Sequence, residues 1–171
     1  DYMFITADTA YEEKQENDFQ VFTLWGVIGD QPYIEDVFRE QISAVDLEAA
    51  IDPFIAQVNN TYGFRGVWCE PKGHGIYLNQ KWERTGTIVP AKEERDEFFK
   101  DRRLDKVGRA NNVLPHLARR VIYINNKIYN KEGLVAECLG FPKGKHDDFV
   151  DTVIDGLKKI YSTSVGILDV L

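Results

Sequence analysis

The chain has 171 residues, of which 43% are hydrophobic and 29% are charged, a composition typical of a soluble α/β protein of one domain. It contains no apolar run near the ~18 residues that a membrane span needs and no signal peptide, so we expect no membrane partner. The net charge of −7 argues against a general coat for nucleic acid.

The first three predicted elements are strands. Residues 2–8 form a strand that ends on Asp8. Residues 18–28 carry apolar side chains on both alternating faces, which indicates a central strand covered on both sides. Residues 33–40 follow a turn, alternate, and are more polar. The loops between them are short, which favours antiparallel neighbours.

Helices and strands then alternate. Apolar residues at helical spacing from Leu47 to Val58 predict a helix, with Asp46 as its cap and Pro53 as a point where its regular part could begin. Residues 65–70 read as a buried strand that ends on Glu70. The remaining predictions are an ambiguous segment at 72–82, a charged loop or helix start at 91–105, a helix to about Arg119, a strand at 121–124, a helix at 131–138 and a last helix. We predict one domain with an α/β fold, in which three antiparallel strands and later α/β units form a mixed sheet with helices on both faces.

Acidic residues mark the ends of two of these strands. Asp8 ends the first strand and Glu70 ends the fourth. If these strands are parallel neighbours, both carboxylates lie at one edge of the sheet, where α/β folds bind ligands. The ordinary alternative for Asp8 is a residue that starts a turn.

The last helix adds more acids. Asp148, Asp151 and Asp155 share a face away from its apolar stripe, and Asp147 stands beside them. Such acids often only complement the helix dipole or face solvent. Carboxylate oxygens, however, are preferred ligands of Mg²⁺ and Mn²⁺, and two such ions about 4 Å apart activate phosphodiesters. A bound cation would also relieve the repulsion between the crowded aspartates.

Basic residues concentrate in one segment. Residues 100–120 contain seven Lys or Arg against two Asp, in an otherwise acidic chain. We predict that Lys106, Arg109, Arg119 and Arg120 contact phosphates of DNA. A solvated helix face is the alternative.

The two cysteines and three histidines point away from a disulfide or zinc protein. Cys69 and Cys138 form no CxxC motif, and none of the histidines stands at ligand spacing from a cysteine. We therefore expect an intracellular protein with reduced thiols.

Five segments, in order, carry a resemblance to a known family: ITADTA (5–10), FQVFTLWGV (19–27), VWCEPKGHGIYL (67–78), DKVGRANNVLPHLARRVIYI (105–124) and HDDFVDTVIDGL (146–157). Together they resemble the nuclease domain of the large terminase subunit of tailed double-stranded DNA bacteriophages. The resemblance implies a ribonuclease H-like fold and a Mg²⁺- or Mn²⁺-dependent endonuclease with two ions, which cuts concatemeric viral DNA during genome packaging.

The resemblance also implies site residues and partners. Asp8 matches the first metal-ligand position and Glu70 the second, while Asp148 and Asp151 match the third motif and Asp147 matches it less closely. The implied partners are double-stranded DNA, an ATPase domain of the same full-length chain, the small terminase subunit and the portal protein, in the cytoplasm of the bacterial host. No GxxxxGK[ST] motif occurs and the chain does not begin with Met, so we expect a nuclease domain over residues 1–171 without its ATPase motor.

Two other classes of function remain open. A resolvase or transposase core would share the fold and the acids, although the Trp25-Gly26 strand and the 106–120 segment favour a terminase. A non-catalytic module that docks DNA or the portal would use the acids only structurally. Metal-dependent DNA cutting separates the enzymes from the docking module.

Overall fold

A mixed five-stranded sheet forms the centre of the protein. The computed structural model describes residues 1–9, 19–117 and 121–162. The strand order is β4-β1-β2-β3-β5. The strands are β1 (Tyr2–Asp8), β2 (Gln20–Ile28), β3 (Gln31–Glu40), β4 (Phe64–Cys69) and β5 (Tyr123–Ile124).

The strand pairing follows the prediction. β1 and β2 are antiparallel, as are β2 and β3, so the three consecutive antiparallel strands are confirmed. β4 pairs with β1 in parallel and β5 pairs with β3 in parallel, as strands that return after a helical crossover do. β5 has two residues rather than the predicted four.

Six α-helices lie among the described residues. The ambiguous segment at 72–82 is helical from His74, and the charged segment at 91–105 is a short α-helix followed by a 3₁₀ helix. None of the helices described is long and apolar enough to cross a membrane. The helices are α1 (Ala44–Asn59), α2 (His74–Thr85), α3 (Lys92–Phe98), the 3₁₀ helix (Phe99–Arg103), α4 (Lys106–Leu117), α5 (Lys131–Gly140) and α6 (Asp148–Ser162).

The beginning of α1 differs from the prediction. Ser43 rather than Asp46 caps the helix, because the Ser43 hydroxyl accepts a hydrogen bond from Asp46 N at 3.2 Å and donates one to the Asp46 carboxylate at 2.7 Å. Pro53 lies within the helix and does not begin it. Burial of Leu47, which precedes Pro53, and of Ile51 against the sheet stabilises the turns before the proline.

Two apolar cores lie on opposite faces of the sheet, so helices on both faces are confirmed. Alternate residues of each strand enter different cores, as Phe4 and Ile5 of β1 do. One core packs α4, α5 and α6 against the sheet, and the other packs α1 and α2. The apolar pattern of β2 therefore reports its central position correctly.

A buried polar network fixes α6 on the sheet. The Trp25 indole Nε1 donates to the Thr6 hydroxyl at 2.9 Å, and this hydroxyl donates to the carbonyl of Thr152 at 2.8 Å. The hydroxyls of Thr23 and Thr152 are 2.7 Å apart. Because Thr152 follows Asp151 directly, this network sets where the acids of α6 lie relative to β1 and β2.

Candidate active site

Two of the predicted acids lie at the same edge of the sheet. β1 and β4 are parallel neighbours, with Ala7 opposite Cys69. Asp8 and Glu70 follow these two residues directly, so the strands carry both carboxylates to one end of the sheet. The parallel pairing on which this prediction depended is confirmed.

The close approach of α2 to the end of β4 shapes this edge. A Cβ on Gly75 would lie 2.2 Å from the carbonyl oxygen of Glu70, so only glycine fits there. The buried Asn79 side chain donates to the carbonyl of Cys69 at 3.1 Å and to that of Gly75 at 2.7 Å. These contacts hold the backbone on both sides of Glu70.

Asp151 and Asp155 of α6 are buried, with 4% and 2% of their surface exposed. The acidic face of the helix is therefore not solvated, because the 3₁₀ helix and α4 cover it with cationic side chains. The helical spacing of the sequence places Asp155 on the same face as Asp151, but Asp155 is not among the residues predicted for the site.

Arg102, from the 3₁₀ helix, links the acids of β4 and α6. Its Nη2 lies 2.5 Å from Asp155 Oδ2, its Nη1 lies 3.3 Å from Asp151 Oδ1, and its Nε lies 3.5 Å from Glu70 Oε2. Arg102 belongs to the basic segment of the sequence, but its partners are not predictable locally, because its contacts reach up to 53 residues along the chain.

Two of the predicted DNA-binding residues contact these acids as well. Lys106 Nζ lies 2.5 Å from Asp151 Oδ2 and 2.7 Å from Asp147 Oδ1. Arg109 Nη2 lies 2.5 Å from Asp151 Oδ1, and only 5% of the Arg109 side chain is exposed. In this structure both cations face carboxylates of the site. Arg119 and Arg120 lie outside the described residues.

Asp148 occupies a different position at the beginning of α6. Its carboxylate accepts a hydrogen bond from Phe19 N at 3.3 Å, just before β2. The adjacent Phe149 N donates to Glu137 Oε1 at 2.7 Å, and Arg39 pairs with the other oxygen of Glu137 at 2.7 Å. Among the ion pairs of the described residues, Asp151 is the residue of α6 predicted for the site that shares Arg102 with Glu70.

The crowding of carboxylates changes their proton affinity. Burial and, to a smaller extent, the charge of Asp151 raise the pKa of Asp8 to about 7, although Arg102 and Lys106 oppose this shift. Burial likewise raises the pKa of Asp155 to about 6, although Arg102 opposes this shift. Burial lowers the pKa of Arg102, but the charges of Asp155, Asp8, Asp151 and Glu70 outweigh it, so the pKa is raised overall.

The ion pairs place Glu70, Asp147 and Asp151 in one cluster, and the causes of the pKa shift of Asp8 add Asp8 to it. Asp8 interacts electrostatically with Asp151 and Asp155, so acids from β1 and α6 lie close enough to perturb one another. We refer below to Asp8, Glu70, Asp147, Asp151 and Asp155 as the acid cluster.

The donor chemistry of the acid cluster fits a hard divalent cation, because all its ligand atoms are carboxylate oxygens. In the present arrangement, however, the described residues include no group of three or more His, Cys, Asp or Glu side chains disposed to hold a metal ion. Arg102 and Lys106 lie between the carboxylates instead. The cluster is thus compensated by the protein's own cations.

A mixed sheet with helices on both faces, and acids gathered where two parallel strands end, is the arrangement of an α/β protein with a polar site at its sheet edge. No family model matches the sequence, and none of the curated proteins does. The fold is similar to that of the large terminase of a thermophilic bacteriophage. Its ADP complex superimposes with a TM-score of 0.65 at 15% identity, over 93% of this chain and 39% of that chain.

Two further structures of that terminase agree. The complex with ATP-gamma-S gives a TM-score of 0.63 at 15% identity, and another crystal form gives 0.65 at 16%. The chain spans 39% of the length of that terminase in both structures. The described fold is therefore similar to that of a part of a phage large terminase.

Proposed function

We propose that this chain is the nuclease domain of a phage large terminase, with a ribonuclease H-like fold, and that it cuts concatemeric viral double-stranded DNA during genome packaging. The observation that carries this proposal is the meeting of Asp8, Glu70 and Asp151 around Arg102, at the edge where β1 and β4 end in parallel. The similarity in fold to part of a phage large terminase supports the same function.

Asp8, Glu70 and Asp151 would hold Mg²⁺ or Mn²⁺. Asp148, which lies outside the acid cluster and accepts from Phe19 N, is the further ligand that the sequence predicts, from the first turn of the same helix. Two such ions, when bound, supply a hydroxide nucleophile at neutral pH and stabilise the charge on the phosphodiester. The chain's own contribution is to orient the carboxylates. β1 and β4 fix Asp8 and Glu70, while Thr152 and its partners on the sheet fix Asp151.

Double-stranded DNA is the proposed substrate, and cutting should depend little on its sequence. The proposed contacts are with phosphates, through Lys106 and the basic segment around it, and these contacts do not read bases. An ATPase domain of the same full-length chain, the small terminase subunit and the portal protein are the proposed partners, in the cytoplasm of the bacterial host.

Cleavage of plasmid and linear DNA tests the proposed function. The chain should cut both in Mn²⁺ or Mg²⁺ and neither in chelator. Asp8→Asn and Glu70→Gln should each reduce cutting by about 100-fold or more, as the loss of an electrostatic stabiliser of the transition state does. Glu132→Gln is a matched control, because the Glu132 side chain is 85% exposed on α5 and lies outside the acid cluster.

The control should cut like the wild type, and circular dichroism should show that all three variants fold. If Asp8→Asn cuts as fast as the wild type, the assignment of the site is wrong.

A non-catalytic docking module is the second candidate. The compensation of the acids by Arg102, Lys106 and Arg109 favours it, because a purely structural ion-pair network has this appearance. Such a module would bind DNA or a portal protein without cutting. A chain that binds DNA in Mn²⁺ but leaves plasmid intact at high protein concentration would support this candidate.

A further inference from the structure

We propose that Arg102 and Lys106 are displaceable internal counter-ions of the acid cluster: they hold it together without metal, and a divalent cation must expel them to bind. The inference rests on the proposed function and concerns the regulation of the same site. We call these two residues, Arg102 of the 3₁₀ helix and Lys106 at the beginning of α4, the gate.

Arg102 and Lys106 occupy the space that a metal ion bound to the same carboxylates would need. Arg102 contacts Glu70, which directly follows β4, and Asp151 and Asp155 of α6. Lys106 Nζ adds a second contact to Asp151. A metal ion held by the same carboxylates would lie next to a guanidinium and an ammonium group. Like charges repel strongly at such distances in a buried site, so the metal and the two cations exclude one another.

Arg102 is also incompletely hydrogen-bonded, which favours its displacement. An arginine is held most strongly when two parallel N–H groups contact one carboxylate. Arg102 instead divides its three nitrogens among three carboxylates. Its buried Nε forms an ion pair with Glu70 at 3.5 Å but has no hydrogen-bond partner among the described residues. Charge, rather than a closed set of hydrogen bonds, holds this side chain, and a doubly charged ion competes for charge effectively.

Exposure distinguishes the residues that can move from the one that cannot. The side chains of Arg102 and Lys106 are 12% and 22% exposed, and both lie near the junction between the 3₁₀ helix and α4. Arg109 also has buried nitrogens, Nε and Nη1, without a hydrogen-bond partner among the described residues, but its side chain is only 5% exposed within α4, so a fixed structural role suits it. The gate therefore consists of Arg102 and Lys106, while Arg109 stays as a partner of Asp151.

Titration calorimetry with Mn²⁺ alone, on the whole chain, tests the proposal without any measurement of cutting. Arg102→Gln should bind Mn²⁺ about tenfold or more tightly than the wild type, because it lacks the competing charge. The same variant should melt at a lower temperature in chelator, and Mn²⁺ should raise its melting temperature more than that of the wild type. Arg102→Lys keeps the charge and should bind Mn²⁺ close to wild-type affinity.

Arg103→Gln is the matched control, because it removes the same charge one residue further along the chain from an exposed position. It should leave Mn²⁺ affinity unchanged. If Arg102→Gln does not fold, Lys106→Gln, at the more exposed of the two positions, carries the test and should also tighten Mn²⁺ binding.

The outcomes separate this proposal from the proposed function. A wild type that cuts DNA in Mn²⁺, with gate variants that bind Mn²⁺ no more tightly, overturns the gate and leaves the nuclease standing. Weaker Mn²⁺ binding in Arg102→Gln also overturns the gate, because it makes Arg102 a support for the metal site. Absence of Mn²⁺ binding to the wild type and all variants overturns both.

Discussion

Gly156 of α6 lies directly against the indole ring of Trp25, so that a Cβ at position 156 would be 2.2 Å from Trp25 Cε2. No side chain other than hydrogen fits this contact without movement of the helix. Trp25 is fully buried and donates to Thr6 from the same ring. The packing of α6, and with it the position of Asp151 and Asp155, thus depends on a single glycine.

The first prediction follows from this contact. Gly156→Ala should lower the free energy of unfolding by about 1–3 kcal/mol, the usual cost of overpacking a core, despite the higher helix propensity of alanine. Urea denaturation measures the change. Gly140→Ala is the control, because a Cβ there has no atom within 4 Å, and it should leave stability nearly unchanged. Equal effects of the two substitutions would show that α6 does not pack on Trp25 as described.

The second prediction concerns pH and the raised pKa of Asp8. The folded protein holds the proton of Asp8 up to about pH 7, whereas the unfolded chain releases it near its ordinary pKa of 3.8. The folded state therefore binds more protons in this window, and in chelator its free energy of unfolding should fall as the pH rises from about 4 to about 7. Asp155, with a pKa raised to about 6, should contribute in the same direction.

Stability curves at several pH values, measured by urea denaturation in chelator, check this dependence. Asp8→Asn should have a shallower decline than the wild type and should be the more stable protein near pH 7, because it has no buried carboxyl to ionise. Glu132→Gln, which removes an exposed carboxylate, should decline like the wild type. A wild-type decline no steeper than that of Asp8→Asn would contradict the burial of this carboxyl.

Much of the fold was predictable from the sequence because the relevant signals are local. The apolar alternation on both faces of residues 18–28 predicts a central strand, and short connections predict its antiparallel neighbours. The parallel meeting of Asp8 and Glu70 follows from the strand pattern and a crossover helix. The prediction for α1 was wrong in its cap, because Ser43 competes with Asp46 for the same role and the contacts of Ser43 decide it.

The neutralisation of the site was not predictable in the same way. Asp155 shares a helical face with Asp151, which the sequence shows, but its burial depends on the 3₁₀ helix that covers it. Arg102 is one of seven basic residues in its segment, and nothing local distinguishes it from the exposed Arg103. Long-range packing alone decides which of these cations meets the acids.

The third prediction concerns the buried pair of Arg109 and Asp151. Arg109→Ala should lower the free energy of unfolding by about 1–3 kcal/mol, because Asp151 loses one charged hydrogen-bond partner while Lys106 and Arg102 remain beside it. Thermal or urea denaturation in chelator measures the loss. Arg103→Ala, at an exposed position, should change stability little. No loss of stability at position 109 would mean that Lys106 and Arg102 compensate Asp151 without Arg109.

The fourth prediction concerns DNA binding by the basic segment. Arg109 is buried and paired with Asp151, so DNA cannot reach it in this arrangement. Lys106 is therefore the predicted DNA-binding residue to substitute, because its side chain, beside Asp147, is 22% exposed. Lys106→Ala should weaken binding to every duplex sequence tested and lower the salt slope of binding by about 0.9, the value for one phosphate contact. The contact is with the DNA backbone, so base composition should not alter the effect.

Fluorescence anisotropy of a labelled duplex in Mn²⁺, over a series of salt concentrations, measures this slope. A Glu70→Gln background in both proteins keeps the DNA intact, so the two differ only at Lys106. Lys127→Ala is the control, because Lys127 is exposed and follows β5, at the opposite edge of the sheet from β4. It should keep the salt slope of its parent. An unchanged DNA affinity of Lys106→Ala at low salt would restrict Lys106 to its role as the partner of Asp147 and Asp151.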